Sequence, residues 1–322
     1  MRVLVTGGAG FIGSHLCEAL VARGDRVWVL DDLSTGRFEN IEHVPDITTI
    51  IDSTLNQEIV RDLVREVDVV YHLAATVGVQ LVVNHPIRTI VNNIRGTEVL
   101  LEETCRYRRR LLITSTSEVY GKGAGDVFRE GDDRVIGPTD KLRWCYAESK
   151  AVDEFLALAY WREKRHPAVI TRLFNIVGPR QTGRYGMVVP TFVRQALLGE
   201  PLTVFGDGQQ TRCFAHVGDV VPALMTLMGD TRTNGEIYNL GSNQRVTIEE
   251  LARRVIERTG SKSTLHYVPY EQAYGPGYED MRHRAPCLDK IGAAIGYKPA
   301  TSLDQILDTV IASVREQVHR GA

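Results

Sequence analysis

Cysteine is scarce, and what little there is excludes two classes of protein. Of 322 residues only Cys17, Cys105, Cys145, Cys213 and Cys287 are cysteine, and they stand far apart with no CxxC pair or zinc-type Cys/His grouping. An odd, scattered set builds neither a disulfide framework nor a structural metal site, so a reducing, cytoplasmic setting and no bound metal are expected. Excess charge of either sign is also missing. A formal net charge of −2 gives no electrostatic footprint for nucleic acid or an anionic membrane, and any anionic ligand must be held by a local group of donors. No apolar stretch approaches the roughly 18 residues a membrane span needs. The opening MRVLVTGGAGFIGSHL is broken by glycines and reads as strand and turn rather than as a signal peptide. Internal repeats, charge blocks, a Gly-x-Ser-x-Gly elbow and a phosphate-binding P-loop are all lacking, which disfavours repeat folds, hydrolases and kinases.

What is present is an alternation of buried strands with amphipathic helices. Val3–Thr6, Val27–Asp31, Asp68–Leu73, Leu111–Ser115 and Ala168–Leu173 are short β-branched runs. Between them Ser14–Arg23, Asn56–Glu66, Ile90–Cys105 and Tyr146–Arg165 carry apolar residues at helical spacing. This order implies an α/β fold: a doubly wound parallel sheet with helices on both faces. After Asn175 the pattern loosens into Gly- and Pro-containing connections, with helices expected at Val188–Leu198, Thr247–Thr259 and Ser302–His319. Two units are expected, residues 1–174 as a dinucleotide-binding domain and 175–322 as a smaller α/β substrate lobe, with some later segments returning to the first.

Between the first strand and first helix stands Thr6-Gly7-Gly8-Ala9-Gly10-Phe11-Ile12-Gly13. Glycines there permit a tight turn, let backbone approach a pyrophosphate and allow close helix packing, while the helix N-terminus faces the phosphates. Gly7, Gly10, Phe11, Ile12 and Gly13 are therefore cofactor-binding candidates. A glycine triplet alone is a weak signal, but Asp31 ends the second strand about 18 residues after Gly13, where a carboxylate accepts from an adenosine ribose and repels a 2′-phosphate, favouring NAD over NADP. Asp52, after Thr48–Ile51, is either a contact to the adenine amino group or a strand-end turn residue.

Tyr146-Ala147-Glu148-Ser149-Lys150 places a phenol and an ammonium four residues apart on one helix face. A nearby cation favours phenolate, so Lys150 is expected to make Tyr146 a usable base. By itself such a spacing is common on solvated helices; its order after the glycine turn gives it weight.

TGGAGFIG, HLAA (His72–Ala75), STSEVYG (Ser115–Gly121), YAESK, RLFNIVGPR and the run from Gly199 to Val221 together resemble the extended short-chain dehydrogenase/reductase family over essentially the whole chain. That resemblance implies a Rossmann domain holding NAD, a C-terminal lobe gripping a nucleotide diphosphate sugar, and a homodimer formed through a four-helix bundle. It also assigns roles. Thr116 hydrogen-bonds the sugar hydroxyl being oxidised, Tyr146 takes its proton while hydride leaves C4, and Lys150 binds the nicotinamide ribose. Ala74 and Asn93 line the nicotinamide pocket, Asn175 and Val189 meet the sugar diphosphate, and Arg212 approaches the phosphates or the sugar.

A 4-keto sugar has three fates: return of hydride to give a C4 epimer, loss of water from C5 and C6, or loss of CO₂ from a C6 carboxylate. Glu118 is informative, because simple C4 epimerases of the family carry a small residue there and need no acid near C5. The segment, together with Gly137-Pro138, Arg143-Trp144-Cys145-Tyr146 and Gln210-Thr211-Arg212-Cys213-Phe214, resembles UDP-glucuronate decarboxylases. In those the glutamate and an arginine assist carboxylate departure and C5 protonation, roles that fall to Glu118 and Arg212. GDP-mannose 4,6-dehydratases carry a similar Thr-Ser-Glu, whereas Ser117 departs from the Asp-Glu of dTDP-glucose dehydratases. Val82 also departs, standing where the decarboxylases place a tyrosine four residues before Pro86, which leaves 4-epimerisation of a neutral or uronic UDP-sugar as the alternative. Dehydration, a simple alcohol dehydrogenase and a non-catalytic NAD-binding protein rank below these.

Arg180, Arg184, Arg194, Arg282 and Arg284 compete for the diphosphate, which favours bidentate guanidinium contacts. Arg284, two residues before Pro286, best matches the family's phosphate-binding arginine. His72, His85 and His216 have no metal-ligand spacing, and His72 at a strand end reads as a packed side chain. Trp144 and Phe205 are candidates for stacking on a nucleobase or for core packing.

Overall fold

The structure is a computed structural model that describes residues 1–123, 125–183, 186–274 and 281–320. In chain order the Rossmann half contains β1 (Arg2–Thr6), α1 (Phe11–Ala22), β2 (Arg26–Asp31), β3 (Ile47–Ile51), α2 (Gln57–Glu66), β4 (Val69–His72), α3 (Val79–Asn84), α4 (Pro86–Arg106), β5 (Arg110–Thr116), α5 (Trp144–Lys164) and β6 (Ala168–Leu173). Then come β7 (Ile176–Val177), α6 (Val188–Leu198), β8 (Leu202–Phe205), β9 (Thr211–Cys213), β10 (Ala215–His216), α7 (Val217–Gly229), β11 (Glu236–Leu240), β12 (Arg245–Thr247) and α8 (Ile248–Thr259). The remainder is β13 (Leu265–Val268), α9 (Tyr270–Tyr274), β14 (His283–Arg284), α10 (Asp289–Ile295) and α11 (Leu303–Arg320).

Seven parallel strands form the main sheet in the order β11-β6-β5-β4-β1-β2-β3. Because helices cover both faces, successive residues of one strand are all buried: Val3 and Val5 pack with Leu16, Leu20, Val220 and Leu224, while Leu4 packs with Val60, Val64 and Leu100. That is why these strands read as unbroken apolar runs. The order of connection reverses between β1 and β4, and a ligand cleft opens beyond the carboxyl ends of strands at such a point. Gly7 N–H donates to Leu30 and Leu73 N–H to Thr6 there, aligning the glycine turn with the end of β4.

The chain beyond residue 175 serves two cores. In one, α6, α8 and α11 bury Val189, Phe192, Val193, Leu251, Val255, Ile306 and Val310 against Leu202 and Val204. Thr247 caps α8 by accepting from Glu250 N–H at 3.0 Å, and Gly260 ends it with a φ of 66°. In the other, α7 packs its Val220, Leu224 and Leu227 into the core of the main sheet, and β11 pairs with β6 at the sheet's edge. α7 and β11 are absent from the sequence-based assignment. Pro222 lies within α7, a residue that ordinarily marks a helix end, and α7 is apolar on most sides rather than amphipathic.

Candidate active site

A cavity of about 660 Å³ runs from the glycine turn to the second core. Gly7 adopts a φ of 72°, and a Cβ on Gly13 would lie 2.1 Å from the Gly7 carbonyl oxygen, so side chains at these two points would break the turn. Helix α1 has no side-chain cap at Gly10, and Phe11, Ile12 and Gly13 line the cavity, which leaves first-turn N–H groups available to an anion. Asp31 accepts from Ala9 N–H at 3.0 Å and Leu33 N–H at 2.9 Å, and its carboxylate forms part of the wall. Burial pushes the Asp31 carboxyl up, against these two backbone bonds. Asp52 also lines the cavity while accepting from Ser53 N–H at 2.6 Å and Asn56 Nδ2 at 3.1 Å, so it is turn residue and wall together. A glycine turn, an uncapped helix start and a carboxylate at the second strand's end suit a dinucleotide.

Ala74 is part of the wall, but Asn93 and Lys150 are not. Asn93 is buried with its amide committed: Oδ1 accepts from Thr76 N–H at 2.8 Å, and Nδ2 donates to Thr76 carbonyl at 3.4 Å and Ser149 Oγ at 3.1 Å. It braces the loop carrying Ala74, and its neighbour Asn92 reaches the wall.

Tyr146 stands on the first turn of α5 and lines the cavity beside Thr116, whose side chain hydrogen-bonds the phenol. Burial, and next the Glu118 carboxylate, push the phenol above its usual range; the Thr116 bond and Arg284 oppose the shift. This corrects the expectation drawn from the spacing alone. Lys150 is one turn away but donates to Asp153 Oδ2 at 2.7 Å, so its charge is met by an anion on the same helix.

Glu118 follows β5 on a 3₁₀ turn, Ser117–Tyr120, and sits between two guanidinium groups. Oε1 accepts from Arg284 Nη1 at 2.5 Å and Oε2 from Arg143 Nη1 at 2.7 Å. Burial opposes ionisation, yet the two arginines outweigh it and hold the carboxyl down at about 2. Glu118 here is a carboxylate, not the neutral acid that direct C5 protonation requires. Arg284 Nη2 also donates to Asn175 Oδ1 at 2.9 Å, and its buried Nε has no partner among the described residues. Arg212 on β9 lies in register with Arg284 on β14, a pairing that places both on one face of a parallel ladder, and both line the cavity.

Arg143 completes this group and was noted in the sequence only as part of a motif. Its signal was there: Arg143, Tyr146 and Lys150 follow the i, i+3, i+7 spacing of one helix face. Its guanidinium also stacks over Trp144, 4.9 Å from the ring centroid.

Val189 and Phe205 line the far part of the cavity, whereas Trp144 packs in a small core with Ala147 and Met281. Val82 is buried and contributes to the wall with Val83. Among the other arginines Arg180 reaches the wall and pairs with Glu18, Arg282 pairs with Asp207 at 2.8 Å, and exposed Arg194 is away from the cavity. Arg184 lies outside the described residues. His72 bridges Thr6 and Thr97, and His216 accepts from Gly218 N–H as a helix cap. Among the described residues no helix is long and apolar enough to cross a membrane.

The sequence profile of the NAD dependent epimerase/dehydratase family matches residues 3–241. The chain is 42% identical to a UDP-N-acetyl-alpha-D-glucosaminuronate decarboxylase of Bacillus cytotoxicus, over 98% of this chain and 98% of that protein. It is 38% identical to UDP-glucuronic acid decarboxylase 2 of Arabidopsis thaliana, over 99% of this chain and 69% of the relative. Among solved structures, UDP-glucuronic acid 4-epimerase of Bacillus cereus, in complex with UDP-glucuronic acid and NAD, superposes with a TM-score of 0.87 at 29% identity, covering 98% of this chain and all of the other.

Proposed function

This chain belongs to the NAD-dependent epimerase/dehydratase family, and from that premise we propose that it is a UDP-hexuronate decarboxylase that oxidises C4 of its sugar and releases the C6 carboxylate as CO₂. The observation that carries this reading is the Arg143–Glu118–Arg284 group beside Tyr146, two guanidinium ions around one carboxylate. Around Glu118 the two guanidinium groups leave one positive charge in excess beside Tyr146, which suits a sugar bearing a carboxylate. The relatives named for UDP-hexuronates support the same class of substrate.

The Gly7–Gly13 turn and Asp31 would hold NAD, which when bound would supply a reversible hydride acceptor for C4. Tyr146, hydrogen-bonded to Thr116, takes the C4 hydroxyl proton and later returns it. The C4 ketone makes the C6 carboxylate that of a β-keto acid, so the C5–C6 bond breaks with its electron pair left on C4–C5 as an enolate. Arg284 and Arg143, rather than the Arg212 expected from the resemblance, orient the departing carboxylate, because they are the guanidinium groups on Glu118. Glu118, once a guanidinium has turned to the substrate, binds a proton and passes it to C5. Asn175 and Val189 take the sugar diphosphate side, with Arg212 toward the phosphates. In this reading residues 1–174 hold the cofactor and 175–322 the sugar nucleotide, apart from α7 and β11.

Val82 favours one second reading, C4 epimerisation of the same UDP-hexuronate, since it replaces the tyrosine of the decarboxylase pattern. Product analysis by mass spectrometry after incubation with UDP-glucuronate, and separately with its 2-acetamido analogue, tests the choice. A product lighter by one CO₂ is expected; an isomer of unchanged mass overturns the decarboxylase reading.

A homodimer in a cytoplasmic, reducing setting belongs to the same proposal, supported by five free thiols and by apolar side chains left in solvent on two neighbouring helices. Ile87 on α4 is 78% exposed and Phe155 on α5 is 65% exposed, with Ile90, Val91 and Val152 exposed beside them. Two copies pairing α4 and α5 would bury this stripe in a four-helix bundle. Phe155→Lys is expected to elute as a monomer in light-scattering chromatography at concentrations where the parent is dimeric.

A further inference from the structure

Glu118 and Arg284 meet although neither belongs to the main sheet: one sits on the turn after β5, the other on the two-residue strand β14. Both segments lead to one side chain. Asn239 on β11 is completely buried, and its amide is engaged at both ends. Oδ1 accepts from the Tyr120 hydroxyl at 2.7 Å, while Nδ2 donates to the Phe128 carbonyl at 2.9 Å and to the Cys287 carbonyl at 3.4 Å. Its backbone N–H donates to Glu130 Oε1 at 2.8 Å. Tyr120 closes the turn that carries Glu118. The Tyr120 ring stacks on Phe128 with centroids 4.7 Å apart, and the Arg172 guanidinium lies 4.6 Å from its centroid. Phe128 in turn is clipped to the segment after Arg284: its N–H donates to the Ala285 carbonyl and its carbonyl accepts from Cys287 N–H, each at 2.8 Å.

We propose that Asn239 is a positioning residue of the reaction: by tying the Tyr120 turn to the Phe128–Cys287 clip, it sets where the Glu118 carboxylate and the Arg284 guanidinium meet beside Tyr146. The proposal deepens the decarboxylase reading and rests on it, since it needs Glu118 to serve the step at C5. Asn239 does not line the cavity, so its influence passes through the backbone of the two segments it holds. The frame it hangs from is rigid. Asn239 is in register with Arg172 on β6, and Arg172 with Ser115 on β5, so the amide stands in the same rank of the sheet as the residue that precedes Thr116. Two carbonyls on one side and a hydroxyl on the other call for a donor and an acceptor on one short planar group, which asparagine supplies. An aspartate there would turn an acceptor toward two carbonyl oxygens, and an alkyl side chain would leave the buried Tyr120 hydroxyl without its acceptor.

For Asn239→Ala that still carries NAD, kcat on UDP-glucuronate or its 2-acetamido analogue is expected to fall about tenfold or more, the scale of a small misplacement of reacting groups. Tyr120→Phe keeps the stacked ring and removes only the hydroxyl that donates to Asn239; it should lose about fivefold, and it carries the test if Asn239→Ala does not fold. The discriminating readout is a double-mutant cycle in kcat with Glu118→Gln. In that background the loss caused by either substitution shrinks to less than about twofold, because the carboxylate being placed is already gone. A merely structural role, which lowers the folded fraction, costs the same factor in both backgrounds. An undiminished loss in the Glu118→Gln background, or a parent-like kcat in folded, NAD-loaded Asn239→Ala, overturns the proposal. If Glu118→Gln alone keeps the parent's kcat, the decarboxylase reading fails first and the proposal falls with it.

Discussion

Tyr146→Phe is expected to lower turnover on the order of a thousand-fold while the purified protein still carries NAD. The substitution removes one hydroxyl, which touches Thr116 at the wall of the cavity. Losing a single neutral hydrogen bond costs about 1 kcal/mol of stability, too little to unfold a chain of this size. The turn from Gly7 to Gly13 and Asp31, to which the proposal assigns the dinucleotide, line the cavity elsewhere. A loss of rate without a loss of cofactor is thus what proton transfer at Tyr146 demands, and it is measured by steady-state rate and by NAD content after denaturation. A variant that keeps a tenth or more of the activity, on the order of a one-unit change in log rate, would place the base elsewhere.

Glu118→Gln should divide the kinetic parameters in a way that a neutral-sugar epimerase would not. In the free protein Glu118 is ionised, held near 2 by Arg143 and Arg284 against its burial. A substrate carboxylate entering between those guanidinium groups takes at least one of them and brings a like charge toward Glu118. Both changes raise its affinity for a proton, so the acid is made by the substrate's arrival. Glutamine preserves the shape and the hydrogen-bond acceptor but cannot carry that proton, and it leaves the arginines more positive. The expected result is a kcat lower on the order of a hundred-fold with a KM no higher than the parent's. Unchanged kcat would reduce Glu118 to a wall residue and favour epimerisation.

Much of the dinucleotide half was legible because its signals are local. Strands buried on both faces give β-branched runs, the glycine turn requires its glycines within eight consecutive positions, and Asp31 closes the very next strand. Tyr146 and Lys150 were legible through helical spacing, yet what Lys150 does was not. Asp153 is three residues further along the same helix, and only burial decides that the lysine pairs with it rather than facing the cavity. The Glu118–Arg284 contact joins positions 166 residues apart and depends on β14 pairing with β9, two short strands with no periodic signal of their own. Likewise β11 reaches the edge of the main sheet after a long excursion through the second core, a closure that short-range pattern does not encode. Arg143 is the instructive omission, since its i, i+3 relation to Tyr146 was open to inspection and its partner was not.

The central claim is that C4 oxidation serves to break the C5–C6 bond and that C5 then receives a proton delivered within the cavity. Turnover of UDP-glucuronate or its 2-acetamido analogue in heavy water, followed by mass spectrometry and proton NMR, tests it most directly. The account predicts a UDP-pentose product that has lost CO₂ and carries one deuterium at C5. A product of unchanged mass that has lost nothing and gained no deuterium would contradict it.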